Sequence, residues 1–224
     1  MKMVRTLVLL SLTLPLWPAA AWAQSAPPPP VQRYLIAQGG VAVNQDFEQP
    51  TPVFGAEYGE RVSRSVFAYL AVHYVDDVMS TRMRDNLAFT GAALTSTTGV
   101  PWEFTGRDRA FTFTVGGKYT IPSGSRIRPY LGAGIGLVSL ERTITERDLG
   151  DVSREFYDLT GLNDGIVDAG GTSATKPLVE GVLGVGGPVG RAYVDIAYRY
   201  RRGFHSFEEL TFSQVTIGVG ASWR

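Results

Sequence analysis

The sequence predicts an all-β protein: eight antiparallel strands closed up-and-down into a transmembrane barrel. Three observations predict it. Eight segments alternate apolar and polar residues with a period of two, which is the signature of strands. The connections between them alternate long and short. One face of the strands is apolar, and the other is rich in glycine and carries matched charges.

Two segments precede the strands. Residues 1–23 have the form of a secretory signal peptide. Lys2 and Arg5 make its positive start, Leu7 to Leu16 its apolar core, and Ala21-Trp22-Ala23 a small-x-small cleavage site that leaves Gln24 first. The apolar run is too short for a helix crossing a bilayer, which takes about 20 residues. Residues 24–33 form a proline-rich leader around Pro27–Pro30, stiff and unable to donate to a sheet. The barrel domain is expected over 34–224.

The strands are expected at Tyr34–Asn44, Val53–Arg61, Ser65–Asp76, Ala110–Ile121, Ile127–Leu140, Lys176–Gly186, Arg191–Arg201 and Glu209–Trp223. The first, third, fifth and seventh connections hold about 8, 33, 35 and 7 residues and the others about 3 to 5, the pattern of an up-and-down barrel with short periplasmic turns and longer extracellular loops. Pro122-Ser123-Gly124-Ser125 and Gly186-Gly187-Pro188-Val189-Gly190 carry turn chemistry.

The fourth strand shows the alternation most clearly. Phe111, Phe113, Val115, Tyr119 and Ile121 lie on one face, and Thr112, Thr114, Gly116, Lys118 and Thr120 on the other. In the seventh, Val194, Ile196, Tyr198 and Tyr200 oppose Tyr193, Asp195, Ala197, Arg199 and Arg201. The second, fifth and eighth repeat the pattern with glycines on the polar side. The third is ambiguous, because Val66, Leu70 and Val72 oppose Phe67, Tyr69, Ala71 and His73.

Periodicity alone does not say which face is inside. Charge and aromatics do. The polar face holds Glu57, Glu180 and Asp195 against Lys118, Arg128 and Arg199, three acids to three bases. Eight strands leave an interior only wide enough for side chains, where charges must be paired. The balance therefore places this face inward, as a plugged ion-pair network. On the apolar face aromatics fall near strand ends: Tyr58, Tyr119 and Trp223 toward the periplasm, and Tyr74, Phe111 and Tyr200 toward the outside. That is the double girdle of a membrane barrel.

Arg128-Pro129-Tyr130-Leu131-Gly132-Ala133-Gly134 resembles the Pro-Tyr-Leu-Gly-Ala-Gly signature of the OmpA-like and opacity-type outer-membrane barrels. Asp195-Ile196-Ala197-Tyr198-Arg199-Tyr200 is similar to the segment of their penultimate strand. Val215 to Trp223 resembles the terminal strand read by the barrel assembly machinery, although Arg224 follows the closing aromatic here. The resemblance implies an eight-stranded barrel in the outer membrane with a plugged, salt-bridged lumen.

Composition excludes several chemistries. There is no cysteine, hence no disulfide, thiol nucleophile or lipidated cysteine. Bases and acids number 21 each, and Lys2 and Arg5 leave with the leader, so the mature chain is slightly acidic and has no electrostatic reason to bind nucleic acid. His205-Ser206 followed by Glu208 and Glu209 contains the residue types of a Ser/His/acid site. Neighbours on a strand point to opposite faces, so the pair could not share a proton there. His73 with Asp76 and Asp77 lacks a third ligand at useful spacing for a metal. No cofactor is implied.

The expected function is non-enzymatic: an outer-membrane barrel with a structural or adhesion-type surface role. The alternatives are a small-solute pore and a lipid A-modifying enzyme. Its partners would be outer-membrane lipid, lipopolysaccharide, the assembly machinery and a surface ligand at loops 77–109 and 141–175. Trp102 and Phe156 in those loops could anchor such a ligand or close a small loop core.

Overall fold

The computed structural model describes residues 32–43, 50–160, 172–204 and 210–223. The proposed cleavage residues Ala21, Ala23 and Gln24 lie outside the described residues. So do His205, Ser206, Glu208, Glu209 and Arg224.

Eight long strands follow the order of the sequence: β1 (Arg33–Val43), β2 (Thr51–Arg61), β3 (Val66–Val75), β4 (Phe104–Thr120), β5 (Arg128–Glu146), β7 (Ser173–Val189), β8 (Ala192–Gly203) and β9 (Leu210–Trp223). Each pairs antiparallel with the next, and β9 pairs back onto β1 to close the sheet. The short strand β6 (Gly150–Asp151) turns back on the tip of β5. Helix α1 (Thr81–Thr98) lies between β3 and β4, and helix α2 (Ser153–Thr160) follows β6.

The register fixes the barrel's dimensions. From Arg33 the pairing runs through Glu60, Ala68, Gly117, Ala133, Gly181, Tyr200 and Ser213, and returns to β1 at Val43. One circuit therefore displaces the chain by ten residues. With strands about 4.8 Å apart and a rise of about 3.3 Å per residue, this sets a tilt of about 40° and a backbone radius of about 8 Å. Side chains from opposite walls meet at that radius.

The polarity is inverted relative to a water-soluble barrel. Outward-facing Ile135 and Ile217 are 66% and 62% exposed, whereas inward-facing Glu57 and Arg199 are 0% exposed. Such an apolar exterior suits lipid. Helices do not compete for that role, since no described helix is long and apolar enough to cross a membrane.

Alternation decides the strands, and glycine decides how they fill. Inward glycines leave room for inward tyrosines. A Cβ on Gly59 would lie 2.2 Å from the Tyr34 ring, and one on Gly184 2.7 Å from the Tyr130 hydroxyl. Gly116 and Gly134 together make the bed of Tyr69. The ambiguous third strand is settled the same way: Phe67, Tyr69, Ala71 and His73 turn inward because glycine-bearing strands flank them.

The long connections differ from expectation. Arg33, assigned to the leader, opens β1. β4 begins at Phe104 rather than Ala110, β5 runs to Glu146 rather than Leu140, and β7 starts at Ser173 rather than Lys176. The segments 77–109 and 141–175 are therefore not simply loops. Their described residues rise above the lipid-facing belt, where nothing demands the apolar alternation that marks a membrane strand.

Replacing Gly116 by valine would drive a Cβ to 2.3 Å from the Ala133 carbonyl and 2.7 Å from the Tyr69 ring. We expect Gly116→Val to cost about 3 kcal/mol, the upper end for overpacking, read as a lowered urea midpoint in detergent micelles.

Candidate functional site

The lumen is built in layers. At the periplasmic end Tyr34, Ile36, Phe67 and Tyr193 pack together, with the Tyr34 and Tyr193 rings stacked at 4.5 Å. Above them lies the charged layer. Glu57 on β2 receives Lys118 Nζ from β4, Arg199 Nη2 from β8 and the Tyr34 hydroxyl at 2.6 Å. Glu180 on β7 receives Arg199 Nη1 at 2.8 Å, Arg201 Nε at 2.6 Å and the Tyr69 hydroxyl at 2.8 Å. Arg199 thus bridges both carboxylates across the barrel. Asp195 is held by the Tyr130 hydroxyl, at 2.8 Å to Oδ1, rather than by a cation in ion-pair contact. Lys118 Nζ stands 4.5 Å from the centre of the Tyr130 ring, a cation–π contact.

Arg201 extends the layer outward. Its Nη1 donates to Gln214 Oε1 at 2.8 Å and its Nη2 to His73 Nδ1 at 2.8 Å. A guanidinium only donates, so Nδ1 is the acceptor and the His73 Nε2–H donates to Gln38 Oε1, at 2.7 Å. His73 is consumed by this chain. Asp76 and Asp77 pair instead with Arg107 and Arg84.

Five of the six lumen residues expected from the sequence, namely Glu57, Lys118, Glu180, Asp195 and Arg199, come together in this layer. Arg128 does not. Its phase is inward, but it opens β5 at the periplasmic rim, where its Nε donates to the Ser125 carbonyl at 3.1 Å. Arg201 takes its place in the balance of three acids and three bases. It shares the inward phase of Arg199 two residues earlier, and that alternation was the signal for it. Tyr34, Tyr69 and Tyr130, none of which the sequence singles out for the lumen, supply hydroxyls to all three carboxylates.

Above the charges an apolar layer closes the outer mouth: Ala42, Val53, Val75, Val138, Leu140 and Phe212 among others. Beyond it Asp108 on β4 and Arg142 on β5 face each other in register. They form a buried bidentate pair with Nε–Oδ1 at 2.7 Å and Nη2–Oδ2 at 2.6 Å.

A second core caps the barrel. Met79, Met83, Leu87, Ile144, Phe156 and Ala174 pack together, with Phe104 against Phe156 at 5.1 Å. Gly106 lets α1 approach β4, since a Cβ there would lie 2.6 Å from Leu87 Cδ1. The helix is capped at both ends. The Ser80 hydroxyl accepts from Met83 N, and Gly99, at φ 71°, closes onto Thr95. Phe156 therefore belongs to a cap core. Trp102 is half-buried, stacks on Phe104 and donates its Nε1–H to Thr98 Oγ1 at 3.1 Å. On the cap surface the Asp151 carboxyl is held below the usual aspartate range by hydrogen bonds from the Ser153 hydroxyl and N–H.

The six girdle residues occupy two bands of the exterior. At the periplasmic end the Tyr58 and Trp223 rings lie 6.4 Å apart, and Tyr119 is exposed. At the other end Tyr74 pairs in register with Phe111, and Tyr200 is exposed.

No family model matches the chain, and no curated protein matches it in sequence. Among solved structures the chain is similar to Neisserial surface protein A (NspA), at 12% identity over 85% of this chain and 96% of that one, with a TM-score of 0.54. The attachment invasion locus protein Ail of Yersinia pestis aligns at 11% identity over 86% and 99%, with a TM-score of 0.49. The outer membrane enzyme PagL aligns at 12% identity over 84% and 98%, with a TM-score of 0.41. The fold defines the class: a small, closed, eight-stranded barrel of the outer-membrane type.

Removing one partner of a buried pair leaves the other charge stranded. Glu57→Gln should destabilise the barrel by about 3–5 kcal/mol, whereas Arg128→Gln at the rim should cost less than about 0.5 kcal/mol. Urea midpoints of both variants, followed by the mobility of unheated samples, check this contrast.

Proposed function

We propose that the chain is an integral outer-membrane barrel of the OmpA-like and opacity type, exported through a cleaved leader, with a structural or surface-interaction role rather than a transport or catalytic one. The observation that carries this reading is the filled lumen. A charged layer with Glu57, Arg199, Glu180 and Arg201 at most 3% exposed lies between an aromatic layer below and an apolar layer above. An ion would have to displace this layer, and moving any of these charges aside would strand its partner in a low dielectric.

With the lumen occupied, interaction moves to the two surfaces that remain. The apolar belt and its aromatic girdles suit outer-membrane lipid and lipopolysaccharide. The outward phase of Trp223 on the last strand suits recognition by the barrel assembly machinery. A surface ligand would meet the cap built from α1, α2 and the raised ends of β4 and β5. Support for this direction of exposure comes from Phe89 and Leu149, which stand 76% and 67% exposed on that cap.

Purified protein in planar bilayers should give no persistent single-channel current, and a steady open conductance would overturn the plugged lumen. The heat-dependent mobility shift of folded barrels should accompany the preparation and verify its state. For the non-catalytic half of the reading, mass spectra of lipid A from cells with and without the protein should be identical. Altered acylation that disappears in His205→Ala would replace this reading with an enzymatic one.

A further inference from the structure

The two ends of the barrel treat arginine differently. At the outer end guanidiniums meet carboxylates of the same chain: Arg84 with Asp77, Arg107 with Asp76, Arg142 with Asp108 and Arg147 with Glu103. At the other end stand Arg33, Arg61, Arg64, Arg126, Arg128 and Arg191, with Glu60 the one carboxylate among the described residues there. Glu60 is spent on Arg33, at 2.8 Å. Arg64, Arg126 and Arg191 are exposed and form no ion pair among the described residues. Arg128 leans on a neutral group, the Ser125 carbonyl.

Their placement is regular. Arg61 and Arg64 flank the β2–β3 turn, Arg126 and Arg128 the β4–β5 turn, and Arg191 the β7–β8 turn, while Arg33 starts β1. In the closed order of strands these positions recur at every second strand around the whole perimeter. They also share one end of the barrel. Arg33 pairs in register with Trp223, whose ring lies against Tyr58, so it stands at the periplasmic girdle, and the others flank the turns at that same end.

We propose that these arginines form a collar that binds the phosphates of anionic phospholipid headgroups in the inner leaflet. A soluble ligand needs charges converging on one pocket, and here they spread outward around a rim. A leaflet presents phosphates all round a barrel at this depth. A guanidinium suits that chemistry, because it binds a phosphate bidentately, keeps its charge and is only weakly hydrated. The collar rests on the outer-membrane placement proposed above, with the short turns in the periplasm.

The test uses the full chain reconstituted in phosphatidylcholine vesicles with a minor fraction of phosphatidylglycerol. Spin-labelled lipids of each type report which headgroup the barrel's boundary layer prefers. The native protein should favour phosphatidylglycerol several-fold, and the preference should weaken as salt is raised, with roughly fivefold per arginine as the upper scale. The triple variant Arg64→Gln, Arg126→Gln, Arg191→Gln should lose most of it. The pair Asp76→Asn, Arg107→Gln at the outer rim should keep it. A heat-shifted barrel with no selectivity, or a triple variant that retains it, overturns the collar alone. Absence of the heat shift in either lipid overturns the membrane placement and the collar with it. Binding of soluble polyphosphate in detergent without lipid selectivity would assign the rim to a periplasmic partner and also overturn the collar.

Discussion

Closure of eight strands with a stagger of ten residues is the constraint on which the rest depends. It fixes a tube whose opposing side chains touch. Little inside can be solvated at leisure, so inward positions are mostly small, apolar or bonded to a neighbour, although Gln38 Nε2, Gln214 Nε2 and the Thr114 and Thr216 hydroxyls find no partner among the described residues. Glycine and tyrosine solve the space problem together: Gly59, Gly116, Gly134 and Gly184 yield the volume that Tyr34, Tyr69 and Tyr130 fill. The same rings carry hydroxyls to the carboxylates, so packing and charge are solved by one set of residues.

The charged layer also fixes register. Glu57 and Glu180 tie β2, β4, β7 and β8 across the lumen through Lys118, Arg199 and Arg201. Slipping β8 by one residue would turn Asp195, Arg199 and Arg201 toward lipid and bring Ile196, Tyr198 and Tyr200 inward. No smooth path leads between the two arrangements, because each charge would pass through an apolar belt. The layer's position between apolar and aromatic packing follows from the same cost. A charge held by an opposite charge or a hydroxyl donor tolerates a dry site and an orphaned one does not, so the layer sits where both mouths are already filled.

Much of this was legible in the sequence, and the part that was not has a common cause. Period-two alternation is local, so Phe111 to Lys118 and Val194 to Arg201 declared their faces without reference to any partner. Depth along the barrel is not local. It depends on tilt and stagger, which no single strand reveals. Arg128 and Arg201 both carry the inward phase, yet the stagger puts one at the rim and the other in the network. The cap escaped for a different reason. Above the membrane a strand has no lipid to face, so Gly106-Arg107-Asp108-Arg109 lacks an apolar side and reads as loop. Helix α1 buries only Met83, Leu87, Thr90 and Gly91, too thin a stripe to stand out.

The cap's frame matters for what it can do. Asp108 and Arg142 lie between the apolar layer of the outer mouth and the core formed by Met79, Met83, Leu87 and Phe156. Both are on strands that continue unbroken from the membrane wall, paired residue by residue from Thr120 opposite Tyr130 up to Phe104 opposite Glu146. The cap is thus an extension of the β-ladder rather than a tethered loop, and α1 is bolted to it through Gly106. A partner that docks on Phe89 or Leu149 would meet side chains carried on this frame. It would lose less conformational entropy than on a free loop, since ordering a surface is a large part of the cost of binding it. The closed lumen and the cap are two consequences of one sheet: the ladder that seals the barrel inside the membrane also carries the frame above it.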